Sequence, residues 1–462
     1  FWASGYANDT WRADQPAGCR PGPCPPQRNG NCPVLFRGVG QILAAAPASP
    51  LPNRDVPSGE VALEKTNEQK NAKRYLVRWE PFFGILYDRC EKNYHFIPLD
   101  EVKNWLSRPD ADFIDYHALE IGGPRTAYGA PLLLFLDITT CCQCRCWFCY
   151  NRSGEEPQIG EMTSEEICKL IQRFAELGGV ELRLSGGEPT LHPDLPVFIE
   201  LAGQLALRTI LVSNGMIAPE VLKYLVKSPV AAYYLSLQGD KTTHDAIRGA
   251  GSYAQCLHSA ATLRAYGRKV RLSMTYHKRN KQFLEDIVKV ADDLDVSVAF
   301  NPLRPFGRAT LADMLDPSEN RMLVAQVVAL QRRYPRVWID TPWSYLSGPP
   351  VSPTAGTPKR IGCGGNGLSI SVTGDCFSCG QLSTQPKFCL GNARQEDLYT
   401  IWLRSRLTCQ LANAPLASKC QSCSYLTGSP CFGGCAATAL AARGSLSAGD
   451  PYCFVDLLGE AS

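Results

Sequence analysis

Three cysteines in the middle of the chain have a spacing that suits an iron–sulfur cluster. Cys142, Cys146 and Cys149 are separated by three and then two residues, and no other triple that includes Cys141 or Cys144 has this spacing. Thiolates on such a tight loop can hold three irons of a [4Fe–4S] cube. The fourth iron then lacks a protein ligand, and an open metal position is where a small molecule can bind.

A second group of cysteines lies near the end of the chain. Ten of the 21 cysteines fall between residues 363 and 453, whereas residues 150–362 contain only Cys168 and Cys256. Disulfide scaffolds are typically short secreted chains with cysteines throughout. The clustering therefore favours metal or iron–sulfur ligation and a reducing, cytoplasmic setting. Structural zinc on CxxC pairs is the alternative for the second group.

The composition narrows the classes of partner. The chain of 462 residues has 47 Lys and Arg against 44 Asp and Glu, and 45% of its residues are hydrophobic. A net charge of +3 gives no reason to expect nucleic acid or an anionic membrane as a partner. No apolar run reaches the roughly 18 residues that a membrane-spanning helix needs. A globular protein with no nucleic-acid and no membrane partner is expected.

Alternating strands and helices must position the first cysteine group. Strand-like runs lie at 131–139, 180–186, 209–215, 231–239, 270–276 and 296–303, with helical patterns between them. This alternation predicts parallel strands with right-handed crossovers, here a partial (β/α)6 TIM-like barrel in an α/β fold. Active sites of such barrels lie at the carboxyl ends of the strands, which is where the Cys142 loop falls.

Other units flank the barrel. Residues 73–99 contain three strand-like runs, and 99–107 a short helix, which together suggest a winged-helix-like module. We predict the following division: a Pro-rich irregular segment with Cys19, Cys24 and Cys32 (1–60), the winged-helix-like module (61–125), the barrel (126–310), a helix and linker (311–361), and a cysteine-rich iron–sulfur domain (362–462).

The first cysteine group resembles the motif of the radical S-adenosylmethionine (SAM) superfamily. CQCRCWFC (142–149) matches C-x3-C-x-aromatic-C, with Phe148 as the aromatic residue. SGGEP (185–189) resembles the family's glycine-rich turn, which implies SAM contacts for Gly186, Gly187 and Glu188. Glycine permits the close backbone approach that such a contact needs.

Further matches are found along the barrel. The resemblance implies SAM-binding roles for Ser213 and Asn214 after the third strand, Ser236 after the fourth, and Arg248. Gln238 stands where the family usually has Asp. Each of these polar residues could instead cap a strand end or a helix.

The second cysteine group resembles the SPASM domain, which carries auxiliary [4Fe–4S] clusters. The resemblance implies an outer cluster on Cys420, Cys423, Cys431 and Cys453, and an inner cluster on Cys363, Cys379 and Cys435. The gap between Cys423 and Cys431 is two residues longer than usual. Residues 350–362 lack the expected further cysteine, so the inner cluster has an open iron or takes Cys376, Cys389 or a substrate thiolate.

The two resemblances imply an enzyme of the peptide-maturase (RiPP) type. A [4Fe–4S] cluster would cleave SAM to a 5′-deoxyadenosyl radical, and two auxiliary clusters would accept electrons. The expected substrate is a ribosomally made precursor peptide or protein with a leader, modified by a thioether or C–C cross-link. Flavodoxin or ferredoxin is the expected electron donor. The alternatives are a sulfatase-type formylglycine maturase, a peptide epimerase, and a non-enzymatic metal-binding regulator.

Overall fold

A computed structural model describes most of the chain. The described residues are 73–81, 83–117, 128–154, 158–339, 365–408, 417, 420, 423 and 434–453. The predicted Pro-rich segment with Cys19, Cys24 and Cys32, most of the linker, and the ligands Cys363 and Cys431 lie outside these residues. Within the described ranges, no helix has the length and apolar character needed to cross a membrane.

The first described unit is a small sheet with one helix. Its strands β1 (Tyr75–Trp79), β2 (Gly84–Asp88) and β3 (Asn93–Ile97) are antiparallel neighbours, and helix α1 (Leu99–Trp105) follows. The three strands and the helix agree with the sequence prediction. The winged-helix arrangement is not confirmed, because strand β4 (Ala111–Asp115) follows the helix and pairs parallel to β1. The sheet order is β3-β2-β1-β4.

Six parallel strands form the predicted partial barrel. They are β5 (Leu133–Asp137), β6 (Glu181–Ser185), β7 (Arg208–Ser213), β8 (Ala232–Ser236), β9 (Val270–Tyr276) and β10 (Ser297–Pro302). The helices that follow them are α2 (Ser164–Glu176), α3 (Leu195–Gln204), α4 (Pro219–Leu225), α5 (Lys241–Arg248), α6 (Ser252–Ala265), α7 (Leu284–Asp293) and α8 (Pro317–Arg333). Short 3₁₀ turns occur at Pro189–Leu191, Lys281–Phe283 and Leu311–Asp313.

Side-chain alternation along the strands separates the core from the barrel lumen. Leu182, Leu184 and their equivalents on the other strands lie in the main hydrophobic core. The alternate positions point inwards: the Arg183 guanidinium of β6 lies 4.6 Å from the ring of Phe135 and 5.9 Å from that of Tyr234, two strands away. Since strand side chains alternate with period two, one face of the sheet packs against helices while the other forms a largely polar lumen.

The first helix of the barrel illustrates how local sequence sets an element. Thr163 and Glu166 form the predicted capping box at the start of α2, with each side chain bonded to the other's backbone N–H. Ile167, Leu170 and Phe174 are buried at helical spacing. Gly178, at φ +68°, then turns the chain towards β6. The capping box and the apolar stripe therefore fix the crossover between β5 and β6.

The C-terminal region extends the barrel sheet. Strand β11 (Val337–Ile339) joins β10, while β12 (Gly367–Ile370) pairs parallel to β5 and continues into the antiparallel β13 (Asp375–Phe377) and β14 (Gly391–Asn392). Together they form a ten-stranded mixed sheet. The remaining elements are 3₁₀ turns at Gly380–Leu382 and Pro386–Phe388 and the helices α9 (Leu398–Thr408) and α10 (Ala436–Arg443). The cysteine-rich region thus lies beside β5.

The small N-terminal sheet closes the opposite end of the barrel. Tyr87 Oη donates to the carbonyl of Ala206 at 2.8 Å, and Tyr116 Oη donates to that of Leu177 at 3.1 Å. Both carbonyls belong to loops that lead into barrel strands. Arg78, which is fully buried, donates to the carbonyl of Gly178 at 3.0 Å. The sheet therefore packs under the amino ends of the strands, away from the cysteine loop at their carboxyl ends.

Candidate active site

The cluster loop, residues 138–154, follows β5 at the carboxyl end of the barrel. Two backbone hydrogen bonds close it: Cys142 N donates to Gly154 O at 2.5 Å, and Gly154 N donates to Thr140 O at 3.2 Å. The carboxylate of Glu161 accepts from both the backbone N–H and the hydroxyl of Thr140, at 2.7 and 2.6 Å. The loop therefore has a fixed base on which its cysteines are presented.

The predicted cluster ligands lie together. Cys142 and Cys146 are each 7% exposed and share one buried group with Cys149 and the half-buried ring of Phe148. Cys144 lies between the ligands, and its hydrogen bond lowers the pKa of Cys146 to about 6, which favours the iron-binding thiolate.

The donor chemistry of this group fits a cubane. Within the described residues, no three His, Cys, Asp or Glu side chains converge on one metal ion. Each thiolate of a [4Fe–4S] cube binds a different iron, so the ligands share a pocket instead of a single point. Three cysteines gathered in one buried group meet that requirement.

The glycine-rich turn after β6 packs directly on the cluster loop. Gly187 N donates to Thr139 O at 2.6 Å, and Glu188 N donates to Cys141 O at 2.8 Å. A Cβ atom at Gly187 would lie 2.3 Å from the carbonyl oxygen of Cys141, and one at Gly186, where φ is +128°, would lie 2.3 Å from that of Thr139. Only glycine permits this approach. The turn therefore brings its backbone next to the cluster loop, as a SAM-binding role requires.

Glu188 is a buried brace between two strand ends. Its carboxylate accepts from the hydroxyls of Thr190 (2.6 Å) and Ser213 (2.8 Å) and from the backbone N–H groups of Thr190 (3.2 Å) and Asn214 (2.7 Å). Burial raises the pKa of Glu188, and these hydrogen bonds oppose the rise. This contact set ties the glycine turn to the end of β7, a role that the sequence did not indicate.

Replacing Glu188 with Gln should destabilise this brace. The amide keeps the shape but brings an N–H₂ group against donors, and an unsatisfied buried polar group costs about 1–3 kcal/mol. We expect the first thermal transition to fall by several degrees. Glu165→Gln is the matched control, because Glu165 is 57% exposed and pairs with the exposed Lys169, so its loss should cost less than about 1 kcal/mol. Equal shifts for the two variants would contradict the bracing role.

Ser213 and Asn214 connect the end of β7 to the cluster loop. Asn214 Nδ2 donates to Gln143 Oε1 at 3.1 Å, and Gln143 Nε2 donates to Met216 O at 3.0 Å. Ser213 Oγ accepts from Gly215 N at 3.0 Å in addition to its bond to Glu188. These contacts give both residues a positioning role, and their direct contact with SAM remains a prediction.

Arg248 faces the cluster thiols from α5. Its Nε atom is buried and has no hydrogen-bond partner within the described residues. Burial lowers the pKa of this guanidinium, while the nearby thiols of Cys146 and Cys144 raise it, with a net rise. A buried donor without a partner beside the thiols suits the carboxylate of SAM, so this observation also fits the implied cofactor.

Two polar residues at the carboxyl end of β8 have different contacts. Ser236 is half-buried at the end of the strand, and its carbonyl accepts from Cys256 Sγ at 3.4 Å. Gln238 is 1% exposed and accepts from Thr275 N at 3.1 Å, so it ties β8 to β9. Ser236 stays a predicted SAM ligand, whereas Gln238 has a structural role.

Two predicted ligands of the inner auxiliary cluster lie together. Cys379 and Cys435, here called the inner pair, pack on the same apolar group as Phe377. Tyr150 of the cluster loop contacts this group as well. The inner pair therefore lies near the cluster loop, because Tyr150 directly follows the cluster ligand Cys149.

The two candidates for the vacant inner ligand lie elsewhere. Cys376 is fully buried in the main hydrophobic core, since successive strand residues point to opposite faces. Cys389 is exposed, and its thiol donates to Gly391 O at 3.4 Å. Neither thiol belongs to the apolar group that holds the inner pair.

The outer-cluster ligands are described only in part. Cys420 is 8% exposed, and Cys423 N donates to Cys420 O at 3.3 Å, which places these two on one turn. Cys453 N donates to Asp450 O at 3.0 Å, and Asp450 Oδ2 accepts from Cys435 N at 2.7 Å. Asp450 thus links the segments of one outer and one inner ligand.

Sequence reasoning missed a polar cavity and the residues behind it. The cavity measures about 630 Å³ and lies between the cluster loop, which contributes Arg145 and Asn151, and the turn between β12 and β13, which contributes Thr373. Asn151 Nδ2 donates to Asp137 Oδ2 at 3.2 Å, so the carboxylate lies behind the cavity wall. The sequence signal that could have identified Asp137 was an acidic residue at the end of the otherwise apolar strand β5.

Comparisons with known proteins agree with this site. The radical SAM superfamily matches residues 136–294, and the SPASM iron-sulfur cluster-binding domain matches residues 363–424. An AdoMet-dependent heme synthase from Methanosarcina barkeri is 27% identical, covering 70% of this chain and 96% of the relative. The mycofactocin maturase MftC of Mycobacterium ulcerans is 27% identical (70% and 88% covered), and the PqqA peptide cyclase of Ruegeria pomeroyi 26% (71% and 89%).

The fold has a counterpart among solved structures. Streptococcus suis SuiB, crystallised with its precursor peptide SuiA, superposes with a TM-score of 0.64 at 18% identity, covering 81% of this chain and 97% of SuiB. Radical SAM domains bind a [4Fe–4S] cluster and SAM, and SPASM domains bind auxiliary iron–sulfur clusters. The cluster loop and the glycine turn lie in the first matched region and Cys379 lies in the second, and the chain is a radical SAM enzyme with a C-terminal SPASM domain.

Proposed function

We propose that this enzyme matures a ribosomally made precursor peptide by forming a thioether or C–C cross-link. The main support is the relationship to a mycofactocin maturase and a PqqA peptide cyclase over about 70% of the chain. SuiB, whose fold this chain shares, was crystallised with a precursor peptide.

The described residues fit that chemistry. When bound, the cluster and SAM supply a radical that takes a hydrogen atom from a substrate C–H bond. Cys142, Cys146 and Cys149 would hold this cluster, the Gly186–Gly187 turn and Arg248 would orient SAM, and Glu188 would keep the turn in place. The inner pair packs on the same apolar group as Tyr150 of the cluster loop and would hold the cluster that receives the substrate's second electron.

The inner cluster bears on the type of bond. Cys376 lies in the main core and Cys389 is exposed, and neither belongs to the apolar group of the inner pair, which supports an inner cluster without either thiol. An inner cluster held by Cys363, Cys379 and Cys435 would leave one iron open to a substrate thiolate. A cysteine-containing peptide and a thioether product would follow.

Two partner roles complete the proposal. The N-terminal sheet has open edges at β3 and β4 within the described residues, and such edges can bind an extended leader by strand addition. Its place under the barrel means that a leader bound there would have to pass around the barrel to deliver its core segment to the cluster loop. A flavodoxin or ferredoxin in the cytoplasm would reduce the cluster.

The proposal is tested with the cluster-loaded enzyme, reductant, SAM and the peptide encoded beside its gene. We expect the peptide to lose two hydrogens, as read by mass spectrometry. Alkylation of free thiols then distinguishes the two products, because formation of a thioether consumes a cysteine thiol whereas formation of a C–C bond does not. An unchanged peptide mass with continued formation of 5′-deoxyadenosine would rule out this peptide as substrate.

A second candidate is a reaction on a carboxylate-bearing porphyrin. The heme synthase relative supports it, as does the charge of the lumen, where the three arginines Arg183, Arg208 and Arg271 outnumber the buried acids Glu181 and Asp137. Positive charge in a buried site favours anionic substrate groups. Incubation with an iron porphyrin in place of the peptide, followed by its absorption spectrum and mass, distinguishes the two candidates.

A further inference from the structure

One buried carboxylate differs from all others in the described chain. Asp137, the last residue of β5, is 4% exposed and accepts a single hydrogen bond, from Asn151 Nδ2 at 3.2 Å. No ion pair of Asp137 occurs among the described residues. The other buried carboxylates are held by arginines or by several hydrogen bonds: Glu80, Glu181, Glu188 and Asp450.

The lack of partners has an energetic consequence. A buried carboxylate is costly unless it is paired, so one without a cation serves structure poorly. Burial raises the pKa of Asp137 from 3.8 to about 7. A group that exchanges its proton near neutral pH is suited to act as a base in a reaction. A strongly perturbed pKa directly behind the wall of a cavity is a physical sign of a functional residue.

The position of Asp137 suits proton transfer from a substrate in the lumen. Asp137 pairs in register with Ser185, which directly precedes the glycine turn, and the cluster loop begins at the next residue. Asn151 lines the polar cavity of about 630 Å³, so a proton held by Asp137 has a nearby route to water.

Few charged groups surround the carboxylate. Tyr150, from the cluster loop, is its titratable neighbour in the described residues, and burial, with Asp137 next, raises the pKa of this phenol, so it stays neutral. Arg183 of β6 shares the lumen but pairs with Glu181 at 2.5 Å. The environment therefore leaves the charge of Asp137 uncompensated.

We propose that Asp137 is the proton acceptor of the reaction, an inference that rests on the proposed function. Cross-linking joins a C–H carbon to a group X–H of the peptide, which thereby loses two hydrogens. The first hydrogen would leave the carbon as a hydrogen atom and would form a C–H bond on the 5′-deoxyadenosyl group of cleaved SAM. The other leaves X as a proton and forms an O–H bond on Asp137. The remaining electron reduces an auxiliary iron–sulfur cluster.

Asp137→Asn tests this role, because an amide can still accept the hydrogen bond from Asn151 but cannot take a proton. We expect product formation to fall by about 10²–10⁴-fold, the usual contribution of a general base. With a peptide deuterated at the reacting carbon, deuterium should still reach 5′-deoxyadenosine, since hydrogen abstraction precedes proton transfer. In the wild type, product formation should rise with pH through about 7.

Thermal stability gives a readout that needs no peptide. Because the pKa of Asp137 is raised, the wild type should lose stability as the pH increases from about 4 to about 7, whereas Asp137→Asn should not. The variant should therefore melt above the wild type at pH 8 and closer to it at pH 5. Glu80→Gln is the matched control: it removes another buried carboxylate, but one paired with Arg78, and should melt below the wild type.

The outcomes separate the two hypotheses. A wild type that leaves the peptide unmodified contradicts the proposed function, whereas the melting profile still tests Asp137. Product formation by Asp137→Asn at the wild-type rate and pH profile would overturn the inference. So would a melting temperature below that of the wild type at pH 8, as for Glu80→Gln, because Asp137 would then have a structural role.

Discussion

Cys146→Ala should lower the iron content from about 12 to about 8 per chain and abolish SAM cleavage, whereas Cys144→Ala should preserve both. Three [4Fe–4S] clusters hold about 12 irons, and only the first needs the thiolate of Cys146. Cys144 is as deeply buried, at 2% exposed, and its thiol also contacts Met216 Sδ at 3.7 Å, but it lies outside the three-and-two spacing of the ligands. The two residues thus form a matched pair in one loop.

Iron analysis and the yield of 5′-deoxyadenosine measure this effect after anaerobic reconstitution. Cys141→Ala is a second control, since Cys141 lies outside the three-and-two spacing. Loss of four irons in Cys144→Ala with retention in Cys146→Ala would show that the ligand register is different. Zinc without iron in the wild type would exclude the radical mechanism and favour a metal-binding regulator.

The sequence was sufficient for the barrel because local patterns determine it. The capping box of Thr163 and Glu166 and the apolar stripe of α2 are set by neighbours within one helix. Strand alternation has the same local origin, so the polar lumen follows from residues such as Arg183 on β6. The glycine pair at 186–187 was also readable, since only glycine tolerates the contact with the cluster loop.

Other features depend on groups that are distant in sequence. Glu188 was expected to contact SAM, but its four hydrogen bonds depend on where β7 ends beside the glycine turn. Cys376 was a candidate ligand until the pairing of β13 placed its thiol in the main core. The unusual environment of Asp137 could not be predicted either, because the lack of partners for its carboxylate is recognised only once the surrounding side chains are placed.

The N-terminal sheet shows this limit most clearly. Its strands are readable from the sequence, but its location under the barrel depends on contacts between residues distant in sequence, among them those of one buried ion pair. Arg78 and Glu80 are both fully buried, and Arg78 Nε donates to Glu80 Oε1 at 2.9 Å. The same guanidinium donates to the carbonyls of Ala130 at 2.7 Å and Gly178 at 3.0 Å. The sheet and the barrel therefore share one guanidinium.

Arg78→Met should destabilise the protein by about 3–5 kcal/mol, the cost of leaving one partner of a buried ion pair alone. The first thermal transition should fall by many degrees, and limited proteolysis should cleave the N-terminal sheet first. Arg74→Met, four residues earlier, is the control. Arg74 pairs with Asp88 at 2.9 Å and is 30% exposed, so its loss should cost less than about 1 kcal/mol.

A double variant separates charge from hydrogen bonding. In Arg78→Met with Glu80→Met the uncompensated carboxylate is gone, so part of the stability should return. The carbonyls of Ala130 and Gly178 stay unsatisfied, and Gly129 N loses its bond to Glu80 Oε2, so recovery should be incomplete. Iron content should stay near the wild-type value in all three variants, because the ion pair and the cluster loop lie at opposite ends of the barrel. If Arg78→Met melts like Arg74→Met, this ion pair does not hold the sheet to the barrel.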